Sequence, residues 1–267
     1  MKTTSLILLS AAFALTAMAS CSQDDHVPVA SQTYVLVHGA WQAPYVWDDV
    51  RAKLISAGNK VIVVELPGHG SDQTPTHQLS LDVYRDKVIQ AMGSGSDKVI
   101  LVGHSMGGMV VTHVAEKVPS KIRKLVYIGA FVPVSGQALI EIQDPGSQLG
   151  PALVQSADQL TLDVKKERLV DLFIPDGSQD VKDKVIANYR AEPAIPFTNK
   201  VLLSPGAFGS VDKAYIKTLQ DVVISPALQD QMLKAAGIKS VYEVNTGHSP
   251  FLSQPKAVAD LLLKIGK

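Results

Sequence analysis

With a single cysteine in 267 residues, the chain cannot close an internal disulfide and offers no thiolate cluster to a metal. An excess of charge is missing as well. Lys and Arg number 25 against 25 Asp and Glu, with no basic run, so the electrostatics give no support for binding nucleic acid. The apolar stretch from Ser5 to Ala19 falls short of the roughly 18 residues that a membrane-crossing helix requires. Aromatic residues make up only 6% of the chain, and no internal repeat is visible. What is plentiful is apolar side chain, 46% of the total, enough to bury the core of one large domain.

That apolar content comes in short β-branched runs separated by helical stretches. Tyr34 to Val37, Lys60 to Glu65, Lys98 to Val102, Lys124 to Gly129, Lys213 to Thr218 and Val241 to Val244 read as strands. Between them, Pro44 to Ala57, a segment capped by Ser80 and running to Met92, Met109 to Lys117, a helix starting near Pro226, and Gln254 to Ile265 read as helices. Alternation of this kind predicts an α/β fold, a mostly parallel central sheet flanked by helices.

The strand ending at Val102 runs directly into Gly103-His104-Ser105-Met106-Gly107-Gly108 and then into a helix. The pentapeptide G-x-S-x-G alone would arise by chance in on the order of a tenth of chains this long, at about 7% Gly. Between a strand and a helix it becomes a nucleophile elbow: the turn is so tight that the serine backbone is strained and the flanking positions must be Gly. Ser105 Oγ then projects above the sheet edge, and the Met106 N–H at the helix start is placed to stabilise an oxyanion.

A serine hydroxyl is nearly inert at neutral pH and requires a general base. Of the 7 histidines, His248 lies on the loop after the last strand, from which it can swing to the elbow. His38 and His104 adjoin turn glycines, which favours structural roles; His69, in Leu66-Pro67-Gly68-His69-Gly70, is a turn residue near the same edge. His26, His77 and His113 read as leader, surface and helix residues. The carboxylate that orients the base falls between Ser105 and His248 in chain order, and Asp221 follows a strand at its C-terminal end. Asp212 precedes that strand and so sits at the wrong end, and Asp230 lies inside a helix. The turn His38-Gly39-Ala40 ends the first strand, which puts the Ala40 N–H opposite that of Met106.

The set His38-Gly39-Ala40-Trp41, Val46-Trp47, Gly103 to Gly108, Asp221 and Gly247-His248 resembles the α/β-hydrolase superfamily. Within it, Leu-Val-His-Gly-Ala-Trp at 36–41 and Val-Gly-His-Ser-Met-Gly-Gly-Met at 102–109 are similar to the plant methyl-ester esterase and hydroxynitrile lyase group and to bacterial carboxylesterases of the pyrethroid-hydrolase type. The resemblance runs from about Gln32 to the end and is weak in the middle. It implies a cap over the serine, a small-molecule ester substrate and no cofactor; oligomeric state is left open. In the lyase branch a Thr stands at the position of Gly39 and a Lys follows the catalytic His, whereas here Gly39 and Ser249 occupy those places.

Residues 32–132 and 211–267 are thus expected as the core and 133–210 as a helical cap. The segment 133–210 is rich in proline, with helical pieces near Leu160 to Phe173 and Val181 to Tyr189 and no convincing strand. Trp41, Phe131 and Phe251, beside the oxyanion, post-strand and histidine loops, are the expected pocket walls, which with few charges nearby favours an apolar acyl or alcohol group. At the other end, residues 1–20 read as an export signal and 21–31 as a flexible tether. Cleavage before Cys21 would leave it as the lipid-bearing first residue of a cell-envelope lipoprotein, the membrane being met through that anchor only; cleavage near Ala19 would give a periplasmic or secreted product. The chemistry expected is ester cleavage through an acyl-enzyme. Lyase chemistry and non-catalytic capture of an apolar ligand are the alternatives.

Overall fold

The computed structural model describes residues 31–267. Residues 1–30, which include Cys21, the expected signal and all of the expected tether but Ser31, lie outside the described residues. The chain builds β1 (Thr33–Val37), α1 (Asp48–Ser56), β2 (Lys60–Val64), α2 (Leu81–Met92), β3 (Val99–His104), α3 (Gly107–Lys117) and β4 (Ile122–Ile128). A long insertion follows, and then β8 (Lys213–Thr218), α7 (Pro226–Ala236), β9 (Ser240–Val244), α8 (Pro250–Ser253) and α9 (Pro255–Ile265). Six strands form one sheet in the order β2-β1-β3-β4-β8-β9, every neighbouring pair parallel.

The nearly continuous apolar runs of the central strands β1 and β3 follow from that topology. A parallel sheet is covered on both faces, so both sets of alternating side chains need an apolar partner. In β1 and β3, Val35, Val37, Val99 and Leu101 join Val88, Val110 and Val114 of α2 and α3 in one core layer. Their neighbours Leu36, Ile100 and Val102 point the other way and pack with Val50, Leu54, Val258 and Leu262 of α1 and α9. Helix ends obey local chemistry: Ser80 Oγ accepts from the Val83 N–H and Ser225 Oγ from the Leu228 N–H, and Gly237 closes α7 at φ +64°. Among the described residues no helix is long and apolar enough to cross a membrane.

The strand order also locates the site. β2 and β3 lie on opposite sides of β1, and connections diverge there, opening a crevice at the carboxyl ends of β1 and β3. His38 to Trp41 leave β1 at this crevice, and Ser105 leaves β3.

The insertion differs from the strand-free reading of residues 133–210. It holds a three-stranded antiparallel sheet of β5 (Leu153–Gln155), β6 (Thr161–Val164) and β7 (Glu192–Pro193), together with α4 (Leu169–Phe173), α5 (Gln179–Ala187) and α6 (Ile195–Thr198). The expected helical piece from Leu160 is therefore a strand in its first part. Elements of two to four residues show too little alternation to register, and pairing with distant segments decides their conformation.

Candidate active site

Ser105 has φ +53°, the left-handed region that a side-chain-bearing residue enters only under constraint. Close packing supplies that constraint. A Cβ on Gly103 would lie 2.7 Å from the Gly107 carbonyl oxygen, one on Gly107 would lie 2.6 Å from that of His38, and one on Gly108 would overlap the carbonyl oxygen of Phe131. The Ser105 carbonyl accepts from the N–H groups of Gly108 (2.9 Å) and Phe131 (3.1 Å), so the elbow is stitched to the segment after β4. The N–H groups of Ala40 and Met106 have no protein acceptor among the described residues, which leaves both available to an oxyanion.

His248 and Asp221 come together from the loops after β9 and β8. His248 Nδ1–H donates to Asp221 Oδ2 at 2.8 Å, and both side chains are buried. The carboxylate is held from every side: Oδ1 accepts from the N–H groups of Val223 (2.8 Å) and Ile224 (2.9 Å), and Oδ2 also accepts from the Thr218 hydroxyl (2.8 Å). Gly129, at φ +45°, makes room for this group, since a Cβ there would come within 2.8 Å of Thr218 Oγ1 and 3.3 Å of Asp221 Oδ2. With Nδ1 carrying the proton, the neutral ring of His248 presents Nε2 as a base. His104 fastens the histidine loop to the elbow, its Nε2–H donating to the His248 carbonyl at 2.9 Å. Ser105 Oγ and His248 Nε2 make no hydrogen bond in the structure, a contact that in such sites commonly tightens around substrate.

Against known families, residues 34–261 match the model of the alpha/beta hydrolase family. The chain belongs to this family. Among its relatives are methylesterase 7 of Arabidopsis thaliana, 30% identical over 254 residues that cover 87% of this chain and 95% of that protein. Another is the putative chloroplastic methylesterase 11 of the same plant, 30% identical over 88% of this chain. The chain spans 64% of the length of methylesterase 11 and 56% of that of methylesterase 13. In fold it is similar to polyneuridine aldehyde esterase, with TM-score 0.80, 23% identity and coverage of 89% of this chain and all (100%) of that one. It is equally similar to the pyrethroid hydrolase PytH, with TM-score 0.80, 22% identity and coverage of 88% and 97%.

In this alpha/beta hydrolase the three expected wall residues part company. Trp41 stands beside the oxyanion loop at φ +58° and packs its ring against Phe173 (5.7 Å) and Phe197 (6.0 Å) of the insertion. Phe131 is half-buried behind the elbow. Phe251 is instead sealed in the core under the histidine loop, its ring 4.4 Å from Trp47 and 4.6 Å from His104. It supports the site from below, because the apolar face of α8 turns toward α1 and not toward the crevice. A groove of about 380 Å³ lies nearby between Ala43, Tyr45, Glu65, Tyr189 and Arg190, and none of Ser105, Asp221 or His248 lines it.

Neighbouring histidines have structural places. His38 Nδ1–H donates to its neighbour's carbonyl on Gly39 (2.9 Å) while Nε2 accepts from the Leu66 N–H (3.3 Å), a neutral tautomer. Complete burial, with the nearby His69 adding to it, pulls the His38 pKa down to about 3. Burial likewise holds His104 well below its ordinary value, reinforced by His248. Two contributors were invisible to pattern reading. Gln229, inside α7, donates through Nε2 to Thr218 O (3.1 Å), Thr218 Oγ1 (3.1 Å) and Ile224 O (2.8 Å), and accepts from the Thr218 N–H (3.0 Å). Glu192, in β7, is fully buried beside Trp41 and His69. A polar helix residue and a lone carboxylate in a proline-rich stretch both read as solvated until the tertiary contacts are known.

Proposed function

We propose that this protein is a serine hydrolase that cleaves carboxylic esters with an apolar acyl or alcohol group through an acyl-enzyme. The observation that carries the reading is the strained Ser105, set beside two unoccupied N–H donors and a His248 whose Nδ1–H is held by Asp221. Ser105 Oγ attacks the ester carbonyl while His248 Nε2 takes its proton. The Ala40 and Met106 N–H groups receive the charge that develops on the carbonyl oxygen. Collapse of the tetrahedral intermediate expels the alkoxide, which takes the proton from His248, and water then repeats the cycle to release the acid and restore Ser105. Asp221 holds the imidazole in the correct tautomer throughout. Residues 133–210 serve as the cap, and Trp41, Phe131, Phe173 and Phe197 give the acyl or alcohol group an apolar wall. The similarity to methylesterases, to polyneuridine aldehyde esterase and to a pyrethroid hydrolase supports ester substrates as a class.

The test is Ser105→Ala assayed on nitrophenyl acetate and butyrate, alongside a fluorophosphonate probe. Loss on the order of a millionfold in kcat with the fold intact is expected, as for other serine nucleophiles, together with loss of labelling. Labelling that persists in Ser105→Ala would overturn the assignment. Lyase chemistry gains nothing from the site: Ser249 is completely buried and accepts from Gln42 Nε2 at 3.0 Å, leaving no ammonium for departing cyanide. Cyanide release from mandelonitrile should therefore stay at the spontaneous rate.

For cellular placement, Cys21 as a lipid-bearing residue in the cell envelope is the reading the leader pattern supports best. A palmitate analogue should label the wild type in a bacterial host and not Cys21→Ser. Unlabelled wild-type protein in the soluble fraction would favour secretion instead.

A further inference from the structure

The loop that carries the Ala40 N–H is held from the insertion. Trp41, the next residue, takes a left-handed conformation with a bulky side chain. Its backbone N–H donates to Glu192 Oε2 at 2.8 Å, and its indole Nε1–H donates to the Leu162 carbonyl at 2.9 Å. Leu162 and Glu192 are register partners in β6 and β7, so one strand pair grips Trp41 at both ends. Glu192 Oε2 has a second partner, His69 Nε2, at 2.8 Å, and His69 Nδ1 faces the Pro67 carbonyl at 3.1 Å.

The Pro67 carbonyl can only accept, so His69 Nδ1 carries a hydrogen, and the short contact to a carboxylate oxygen requires another proton between Nε2 and Oε2. Both groups are buried, at 3% and 0% side-chain exposure. Burial works against a charged ring, but the charge and hydrogen bond of Glu192 outweigh it and raise the His69 pKa. The groups around His69 are few: the neutral His38 ring at 4.9 Å, the Tyr84 ring at 5.6 Å, Glu192 itself, and the Arg190 charge, which opposes protonation. Glu192 Oε1 and the Tyr84 hydroxyl are buried without a hydrogen-bond partner among the described residues. A buried ion pair is weak evidence for stability, and none of these atoms belongs to the triad. Their shared product is the orientation of the peptide after Ala40.

We propose that Glu192, braced by His69, is a positioning residue that clamps Trp41 and thereby aims the Ala40 N–H at the oxyanion. The inference rests on the hydrolase reading, in which Ala40 is an oxyanion donor. The hold of Glu192 on the Trp41 N–H can be tested apart from turnover.

Glu192→Gln, Glu192→Leu and His69→Gln should be compared with the wild type on an aryl ester, each normalised to fluorophosphonate-reactive serine. Trp41 amide hydrogen exchange is followed in parallel. Glu192→Leu should lower kcat at least tenfold with KM changed less than twofold, and should speed Trp41 exchange at least tenfold. Glu192→Gln, which keeps an oxygen for the Trp41 N–H, should recover most of both and remains informative if the leucine variant does not fold. Wild-type kcat should decline on the alkaline side as the His69–Glu192 proton is lost, and that limb should vanish in His69→Gln. Unchanged kcat and unchanged Trp41 exchange in folded variants, or a fall in melting temperature alone, would overturn the clamp. Wild-type protein without esterase activity but with Trp41 exchange that responds to Glu192→Leu would overturn the hydrolase reading and leave the clamp standing.

Discussion

At Gly39 the absence of a side chain is a geometric requirement of this elbow. A Cβ there would lie 2.7 Å from Ser105 Cβ and 2.8 Å from His104 Nδ1. Gly39→Thr should therefore displace Ser105 or the oxyanion loop. Loss of one well-placed oxyanion donor costs about a hundredfold to a thousandfold in kcat, and a fall of that order in ester turnover, with KM far less affected, is the expected result. A variant that turned over esters at the wild-type rate would show that the loop gives way freely. Gly108 makes a sharper demand, because the atom a Cβ would meet is the backbone oxygen of Phe131, which cannot rotate aside. Gly108→Ala should lower the unfolding free energy by about 1–3 kcal/mol, the usual range for overpacking, as read from a urea midpoint. The same substitution at Gly58, whose Cβ would meet nothing, lacks this clash and feels only the backbone strain of its φ of +84°.

Among the elements, what was legible in the sequence and what was not divides by the distance over which the signal acts. β3, the elbow and α3 are contiguous, so the apolar run, the glycines and the helix start speak of one another directly, and Ser105 follows. That Asp221 and His248 meet, at 2.8 Å, is legible because each follows a recognisable strand of the same parallel sheet, where the carboxyl ends gather. Glu192 and His69 meet across 123 residues, and β7 is only two residues long. The Leu66 to Gly70 turn places His69 near the edge, but no local pattern announces its pairing with Glu192. Phe251 differs from its expected place for a related reason: its closeness in sequence to His248 is legible, but the side of α8 it occupies depends on Trp47. Gln229 shows the same limit within a helix. Its amide bridges β8 to the turn that holds Asp221, so Gln229→Leu would strip partners from Thr218 and Ile224. Buried groups left unsatisfied cost about 1–3 kcal/mol each. Stability should fall by that order, and kcat should drop with it as the Asp221 carboxylate loses its support. Unaltered kcat in a destabilised Gln229→Leu would separate the packing of this turn from its role at the site.

For the molecule as a whole, three buried histidines contribute to how stability varies with pH and pull in opposite directions, and His113, lowered chiefly by burial, acts with those on the acid side. His38, lowered from 6.5 to about 3, and His104, lowered well below 6.5, are neutral when folded and take up protons on unfolding. Below about pH 6.5 the unfolded chain binds protons that the native state refuses, so stability declines as pH falls toward 3. His69, raised above 6.5, acts in the opposite sense. Its contribution is fully present below about pH 6.5 and is lost as pH rises through its folded value. Together they place the maximum near neutrality. At about 1.4 kcal/mol for each pKa unit, His38 alone removes on the order of 3 kcal/mol between pH 6.5 and pH 4. Asp72, held near 2, loses its contribution only below about 3.8 and leaves that window untouched. Because His38 and His104 are entirely buried, salt screens their contribution to the acid limb little. Urea midpoints from pH 4 to pH 9, in low and in high salt, should trace a dome whose acid limb is insensitive to salt and becomes shallower in His38→Asn. An acid limb that flattens in high salt, or one that His38→Asn leaves unchanged, would assign it to surface carboxylates instead.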